Sequence, residues 1–317
     1  MTILSFSFIA RPIALLMQRA KPNPPAHLSF PEIPRNMQAI VIPTSVGDAT
    51  CTAYRPSEHK SACPPVHVNF HGGGFIMGYP QQDDPQCRYL AARGDLVVIN
   101  VDYVLAPQNP FPAAVHQAFE IVRWVAGNGA ANGWDGARLT IGGQSAGGAL
   151  AAAAALQALD AGGPDIALQF LHYPPLDLVT SGYDKHAKID NPVVSARVSE
   201  IINTVYIPNA ADRASSLASP VHGSNADGIG GIAPAFVVTA EFDLLHDEGV
   251  AYANKLRNAG ALVEHRDLKG VDHAYNILGK DQDGSQALTR EIYELLITHI
   301  HETHATNGRK ALVRNHD

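Results

Sequence analysis

The chain has 317 residues, 46% hydrophobic and 17% charged, with 27 glycines, 22 prolines and 3 cysteines. So apolar a composition excludes a disordered chain, and so few cysteines in so long a chain exclude a disulfide-stapled scaffold. A net charge of −7, from 23 Lys and Arg against 30 Asp and Glu and with no basic run, makes nucleic acid a poor partner.

The first twenty residues, MTILSFSFIARPIALLMQRA, are apolar, but no charged stretch precedes them and Arg11-Pro12 interrupts them. That pattern suits neither a signal peptide nor a membrane span. It suits an amphipathic helix lying on the protein itself, so stable membrane insertion is not expected. Residues 21–34 are proline-rich and read as an extended linker, because proline cannot continue a helix and restricts the residue before it. Residues 38–42 and 50–54, with Gly47-Asp48 between them, have the composition of an antiparallel hairpin at a sheet edge.

The later strands differ. The runs at 66–70, 96–101, 139–141, 166–172 and 235–239 are short and apolar, as in strands buried on both faces and paired in parallel. Helical patterns at 112–126, 146–161, 248–259 and 285–301 alternate with them, and 262–268 is strand-like. Such alternation predicts an α/β fold with an open, doubly wound sheet and helices on both faces. Residues 178–232 lack a clear buried strand but hold a plausible helix at 194–205, and read as an inserted lid. The predicted organisation is an N-terminal cap segment and linker (1–35), a first core part (36–177), a cap insertion (178–232), a second core part (233–303) and a polar tail prone to fraying (304–317). Cys51, Cys63 and Cys87 are odd in number and lack C-x-x-C spacing, which reads as free thiols in a reducing, cytoplasmic compartment.

Two glycine-rich motifs carry chemistry. Gly143-Gln144-Ser145-Ala146-Gly147 lies between a strand and a helix, where small neighbours let the chain turn sharply and leave Ser145 proud of the sheet. Its hydroxyl would sit at a helix N-terminus, where unpaired N–H groups favour negative charge. His71-Gly72-Gly73-Gly74-Phe75 follows the strand at 66–70, and its glycines let backbone N–H groups converge on a tetrahedral oxyanion. No G-K-[ST] follows, so a phosphate loop is unsupported. His71 reads as a brace for this loop rather than as a base.

A serine nucleophile needs a base and an orienting acid. Glu241-Phe242-Asp243-Leu244-Leu245 and Asp272-His273-Ala274-Tyr275 follow late strands, at the sheet edge where Ser145 would stand. Glu241 and Asp247 flank Asp243 and read as helix caps or solvent-facing groups. Among 15 histidines, His273 is selected by its register, while His246 and His265 read as surface residues.

Together the chain resembles the hormone-sensitive-lipase-like family of α/β-hydrolases, its bacterial esterases included. The resemblance rests on HGGGF at 71–75, VDYVLAP with FPAA within 101–114, ARLTIGGQSAGG at 137–148, EFDLLHDEG at 241–249 and DHAY at 272–275. It implies an α/β-hydrolase fold, a mostly parallel eight-stranded sheet under a helical cap. It also implies Ser145 as nucleophile, His273 as general base, Asp243 as orienting acid, and an oxyanion hole from the N–H groups of Gly72, Gly73 and Ala146. The implied activity is hydrolysis of short- to medium-chain acyl esters through an acyl-enzyme, without metal or organic cofactor. An amidase, lactonase or peptidase, or a catalytically silent binding module, would share the fold.

The resemblance places a cap over the site. Phe6 and Ile9, with Phe8, Leu15 and Leu16, would face the pocket from above, and Phe75 and Met77 would line it from below. The other reading is that they only pack the cap onto the body. Three departures stand out: Val104 and Gln108 where relatives commonly have Arg and Glu, and Gln144 where they have Asp or Thr. An exposed edge at 262–268 would permit an edge-paired homodimer.

Overall fold

Eight strands form near the positions expected, with β5 extending well beyond the run at 139–141: β1 (Met37–Ile42), β2 (Ala49–Tyr54), β3 (Pro65–Phe70), β4 (Val97–Asp102), β5 (Asp135–Gln144), β6 (Leu168–His172), β7 (Ala235–Ala240) and β8 (Leu262–Leu268). The computed structural model describes residues 7–57, 61–222, 228–280 and 284–314. All eight strands join one sheet, ordered β1-β2-β4-β3-β5-β6-β7-β8. β2 is antiparallel to β1 and β4, and the remaining pairings are parallel.

Every residue of β3 and of β7 is buried, as parallel strands covered on both faces must be. Side chains alternate between two cores. Val97, Ile99 and Val101 of β4 face one, shared with α3 (Ala113–Gly127), α5 (Ala146–Ala161) and α7 (His246–Asn258). Val98 faces the other, with α2 (Asp84–Gly94) and α9 (Ser285–Arg314). A short helix, α4 (Gly129–Asn132), precedes β5, and another, α8 (Tyr275–Leu278), follows β8.

The cap pairs α1 (Ser7–Met17) with α6 (Ala196–Tyr206). Ala10 and Ala14 of α1 are fully buried, and their small side chains let the two helices approach closely. Pro12 lies inside α1 rather than ending it. Phe8, Leu15 and Leu16 point outward and are exposed. Among the described residues no helix is long and apolar enough to cross a membrane.

Several elements depart from the sequence expectation. Helix α2 has no apolar stripe because its buried face carries Gln86 and Arg88 beside Leu90. Its signal is different: Pro85 in the first turn, and an Asp84–Arg88 pair at 2.8 Å. Arg88 also donates to the carbonyls of Ser29, Phe30 and Ile33. Residues 21–34 are therefore docked rather than freely extended, with a 3-10 turn at Ala26–Leu28 and Phe30 fully buried. Helix α9 runs to Arg314, past the expected end at 301 and through the segment expected to fray. That segment is built mostly of helix-tolerant residues, with Gly308 its one strong breaker.

Candidate active site

β5 ends at Gln144 and α5 begins at Ala146, so the chain reverses at one residue. Ser145 takes φ 53° and ψ −126°, a conformation that costs of order 1–3 kcal/mol for a residue with a side chain. Its N–H donates to His172 O at 2.8 Å. The flanking glycines are sterically required: a Cβ on Gly147 would lie 1.8 Å from Phe70 O, and one on Gly143 would lie 2.3 Å from it.

Ser145 Oγ is 2.9 Å from His273 Nε2, and His273 Nδ1 is 2.6 Å from Asp243 Oδ2. The geometry suits an Nδ1–H that donates to the carboxylate and an Nε2 that accepts from the hydroxyl. Asp243 Oδ1 accepts from Leu245 N at 3.0 Å, which fixes the carboxylate's orientation. Asp243 is 1% exposed and His273 6%, so water has little access to the pair. The neighbouring acids are engaged elsewhere. Glu241 accepts from Gly270 N at 3.0 Å and pairs with Lys188 at 3.3 Å, while Asp247 is exposed and bonds His246.

The glycine loop is held from behind. Gly72 O accepts from His71 Nδ1 at 2.6 Å and from Gln82 Nε2 at 2.9 Å. In a trans peptide the next N–H points the opposite way, so fixing this carbonyl aims the Gly73 N–H. Gly73 has φ 129°, and a Cβ there would lie 2.4 Å from Met77 O. Among the described residues, neither Gly72 N nor Gly73 N donates to a backbone carbonyl. Ala146, as the first residue of α5, likewise has no intrahelical acceptor. His71 is a brace, as read from the sequence: it is fully buried, stacks on Tyr103 at 4.3 Å, and burial pushes its pKa down to about 4.

Above these groups lies a cavity of about 490 Å³, with Ser145, His273 and Gly72–Gly74 on its surface. Met77, Leu178, Val198, Ile202, Ile277 and Leu278 give it apolar walls. Met77 is among the residues that line it. Phe75 does not. At φ 60° its ring turns away from the cavity and stacks on Tyr206 of α6 at 3.9 Å, clamping the glycine loop to the cap. Ile9 does not line it either, since it faces the core beside the buried side of α1. Phe6 lies outside the described residues.

Sequence reading missed several groups here. Ile202 comes down on the glycine loop so closely that a Cβ on Gly74 would lie 2.5 Å from its Cδ1. Lys185 also lines the cavity, with Nζ bonded to Glu248 and to Asp177 O. The cap is further tied to the histidine loop by Val193 N, which donates to Asp272 Oδ2 at 2.7 Å. Gln108, one of the departures, exchanges amide hydrogen bonds with Gln18 just past α1, and Gln18 also donates to Ala106 O. The loop that carries Gln108 is thereby anchored to the segment that ends α1.

Asp83 is buried beneath the site, accepting from Asn69 and Gln144, and burial raises its pKa to about 7. Between an unfolded value near 3.9 and that folded value, the native state holds a proton that the unfolded chain releases. Stability from this group is therefore full below about pH 4 and falls as pH rises to about 7, by up to about 1.4 kcal/mol per pH unit. Asp83→Asn is expected to flatten the slope. Chemical denaturation at pH 5, 6, 7 and 8 tests this, and parallel curves for the two proteins would refute it.

Residues 67–277 match the family described as the alpha/beta hydrolase fold. The chain is 34% identical over 220 residues to Esterase LipI of Mycobacterium tuberculosis, covering 69% of this chain and 68% of that one. It is 37% identical over 215 residues to Carboxylesterase NlhH of the same species, covering 67% and 66%. The crystal structure of a thermostable esterase from Pseudomonas putida superposes with a TM-score of 0.78 at 30% identity, covering 95% of this chain and 92% of that one. The chain belongs to the α/β-hydrolase fold family, in its hormone-sensitive-lipase-like group of ester hydrolases. It spans about two thirds of the length of the two mycobacterial relatives.

Proposed function

We propose that the chain is a serine carboxylesterase that cleaves short- to medium-chain acyl esters through an acyl-enzyme on Ser145. The observation that carries this reading is the Ser145–His273–Asp243 hydrogen-bond chain, at 2.9 and 2.6 Å, opening into an apolar cavity beside backbone N–H groups that, among the described residues, donate to no backbone carbonyl. His273 Nε2 takes the Ser145 proton as Oγ attacks the ester carbonyl, and Asp243 stabilises the imidazolium. The N–H groups of Gly72, Gly73 and Ala146 receive the oxyanion. His273 then returns the proton to the leaving alcohol, and water releases the acid by the same steps.

The walls set the substrate. Each buried methylene is worth about 0.8 kcal/mol, or roughly fourfold in kcat/KM while the pocket still has room. For p-nitrophenyl esters, kcat/KM is expected to climb from acetate to a maximum at butyrate to octanoate and to be low for palmitate. A maximum at palmitate would overturn the chain-length reading. Matched anilides are expected to react far more slowly, and faster anilide cleavage would make the chain an amidase.

The free Cys51, Cys63 and Cys87 support a cytoplasmic setting. β8 ends the sheet on one side as β1 does on the other, and the β8 edge would permit a second copy to pair along it. Light scattering reads the mass of the assembly directly.

A further inference from the structure

The proposed chemistry requires three segments in register: the glycine loop after β3, the turn after β5 and the histidine loop after β8. One side chain reaches the supports of all three. Gln144 Nε2 donates to Asp83 Oδ1, while its Oε1 accepts from Asn276 Nδ2 at 2.7 Å and from the Tyr173 hydroxyl at 2.8 Å. Asp83 adjoins Gln82, which holds the Gly72 carbonyl. Asn276 stands three residues beyond His273 in the sequence. The Tyr173 ring lies 4.5 Å from the His273 ring. Gln144 itself is the residue before Ser145.

The sense of each hydrogen bond is constrained. Asp83 already accepts from Asn69 Nδ2 at 2.9 Å and, when ionised, has only acceptors to offer, so its other oxygen needs a donor. Asn276 presents an N–H, so the opposite end must accept; the Tyr173 hydroxyl faces the same oxygen and shares its single proton between Gln144 Oε1 and Asn276 Oδ1. A glutamine amide supplies one of each. Leucine supplies neither, and glutamate supplies acceptors alone. All four residues are buried, so water cannot replace a missing partner without cost.

We infer that Gln144 is a positioning residue for acyl transfer, acting through Asp83, Asn276 and Tyr173 to keep the glycine loop, Ser145 and His273 in register. The inference rests on the serine-esterase reading above. It also gives a role to the departure at this position, since a neutral amide here matches a buried carboxylate across the gap.

The test uses the full chain with p-nitrophenyl butyrate at pH 8.5. Gln144→Leu is expected to lower kcat on the order of 10²-fold, the scale of a 1 Å misplacement, with KM little changed. Gln144→Glu is expected to fail similarly, because it sets an acceptor against Asp83. Adding Asp83→Asn to Gln144→Glu restores a donor opposite the new carboxylate and is expected to recover most of kcat. A merely structural role would lower the unfolding midpoint and leave kcat per folded molecule unchanged. A folded Gln144→Leu with wild-type kcat would overturn the inference. So would a folded double variant no faster than Gln144→Glu, and this comparison decides the matter if the leucine variant does not fold. Ser145→Ala assayed alongside separates the two readings: full activity there overturns the serine mechanism, whatever Gln144 does.

Discussion

Alanine in place of Ser145 is expected to lower kcat by about 10⁶-fold, the scale seen when a serine hydrolase loses its nucleophile. The change removes one oxygen and keeps a Cβ, so the turn at φ 53° carries the same backbone cost. The Ser145 N–H, donated to His172 O, is untouched. Among the described residues, the hydrogen bond of Oγ is the one to His273, and no bond from it ties the sheet or cap. Fold and ester binding should therefore survive while chemistry does not. A residual rate of about 10³–10⁴ over water would remain from the oxyanion donors and the pocket. Two readouts check this: kcat for p-nitrophenyl butyrate, and mass addition by an organophosphate, which should mark the wild type and spare the variant. Activity retained within an order of magnitude would place the nucleophile elsewhere.

Much of the fold is legible because it rests on local rules. β-Branched runs buried on both faces announce β3, β4 and β7, and glycine is demanded wherever Phe70 O or Met77 O leaves no room for a Cβ. The residues brought together as Ser145, Asp243 and His273 are legible for a similar reason, since each follows a strand and one sheet edge collects them. The supporting groups are not. Asp83 and Asn276 lie 61 and 132 residues from Gln144, and each looks like an ordinary polar residue in a loop or at a helix start. Only the assembled sheet makes them neighbours. Phe75 misleads for another reason: three glycines precede it, and a positive φ turns its ring away from the cavity toward Tyr206. Helix α2 escapes notice because its buried face is stabilised by Arg88 hydrogen bonds rather than by an apolar stripe.

Asparagine in place of Asp243 is expected to lower kcat by about 10⁴-fold with KM nearly unchanged, as the equivalent change does in serine proteases. Asp243 Oδ2 accepts the Nδ1 proton of His273 at 2.6 Å, which leaves Nε2 free to accept from Ser145. An amide nitrogen at that oxygen's place would donate to Nδ1 instead and move the ring proton to Nε2. The base would then face Ser145 with its proton already in place. At 1% exposure water has little access to correct the tautomer, and Leu245 N holds the other oxygen in its present orientation. Neither neighbouring acid can substitute as the loop stands: Glu241 is committed to Gly270 and Lys188, and Asp247 points into solvent beside His246. Asp247→Asn should therefore leave the rate near that of the wild type. A loss within tenfold for Asp243→Asn, against a large loss for Glu241→Gln, would transfer the orienting role to Glu241 and require the loop after β7 to rearrange before catalysis.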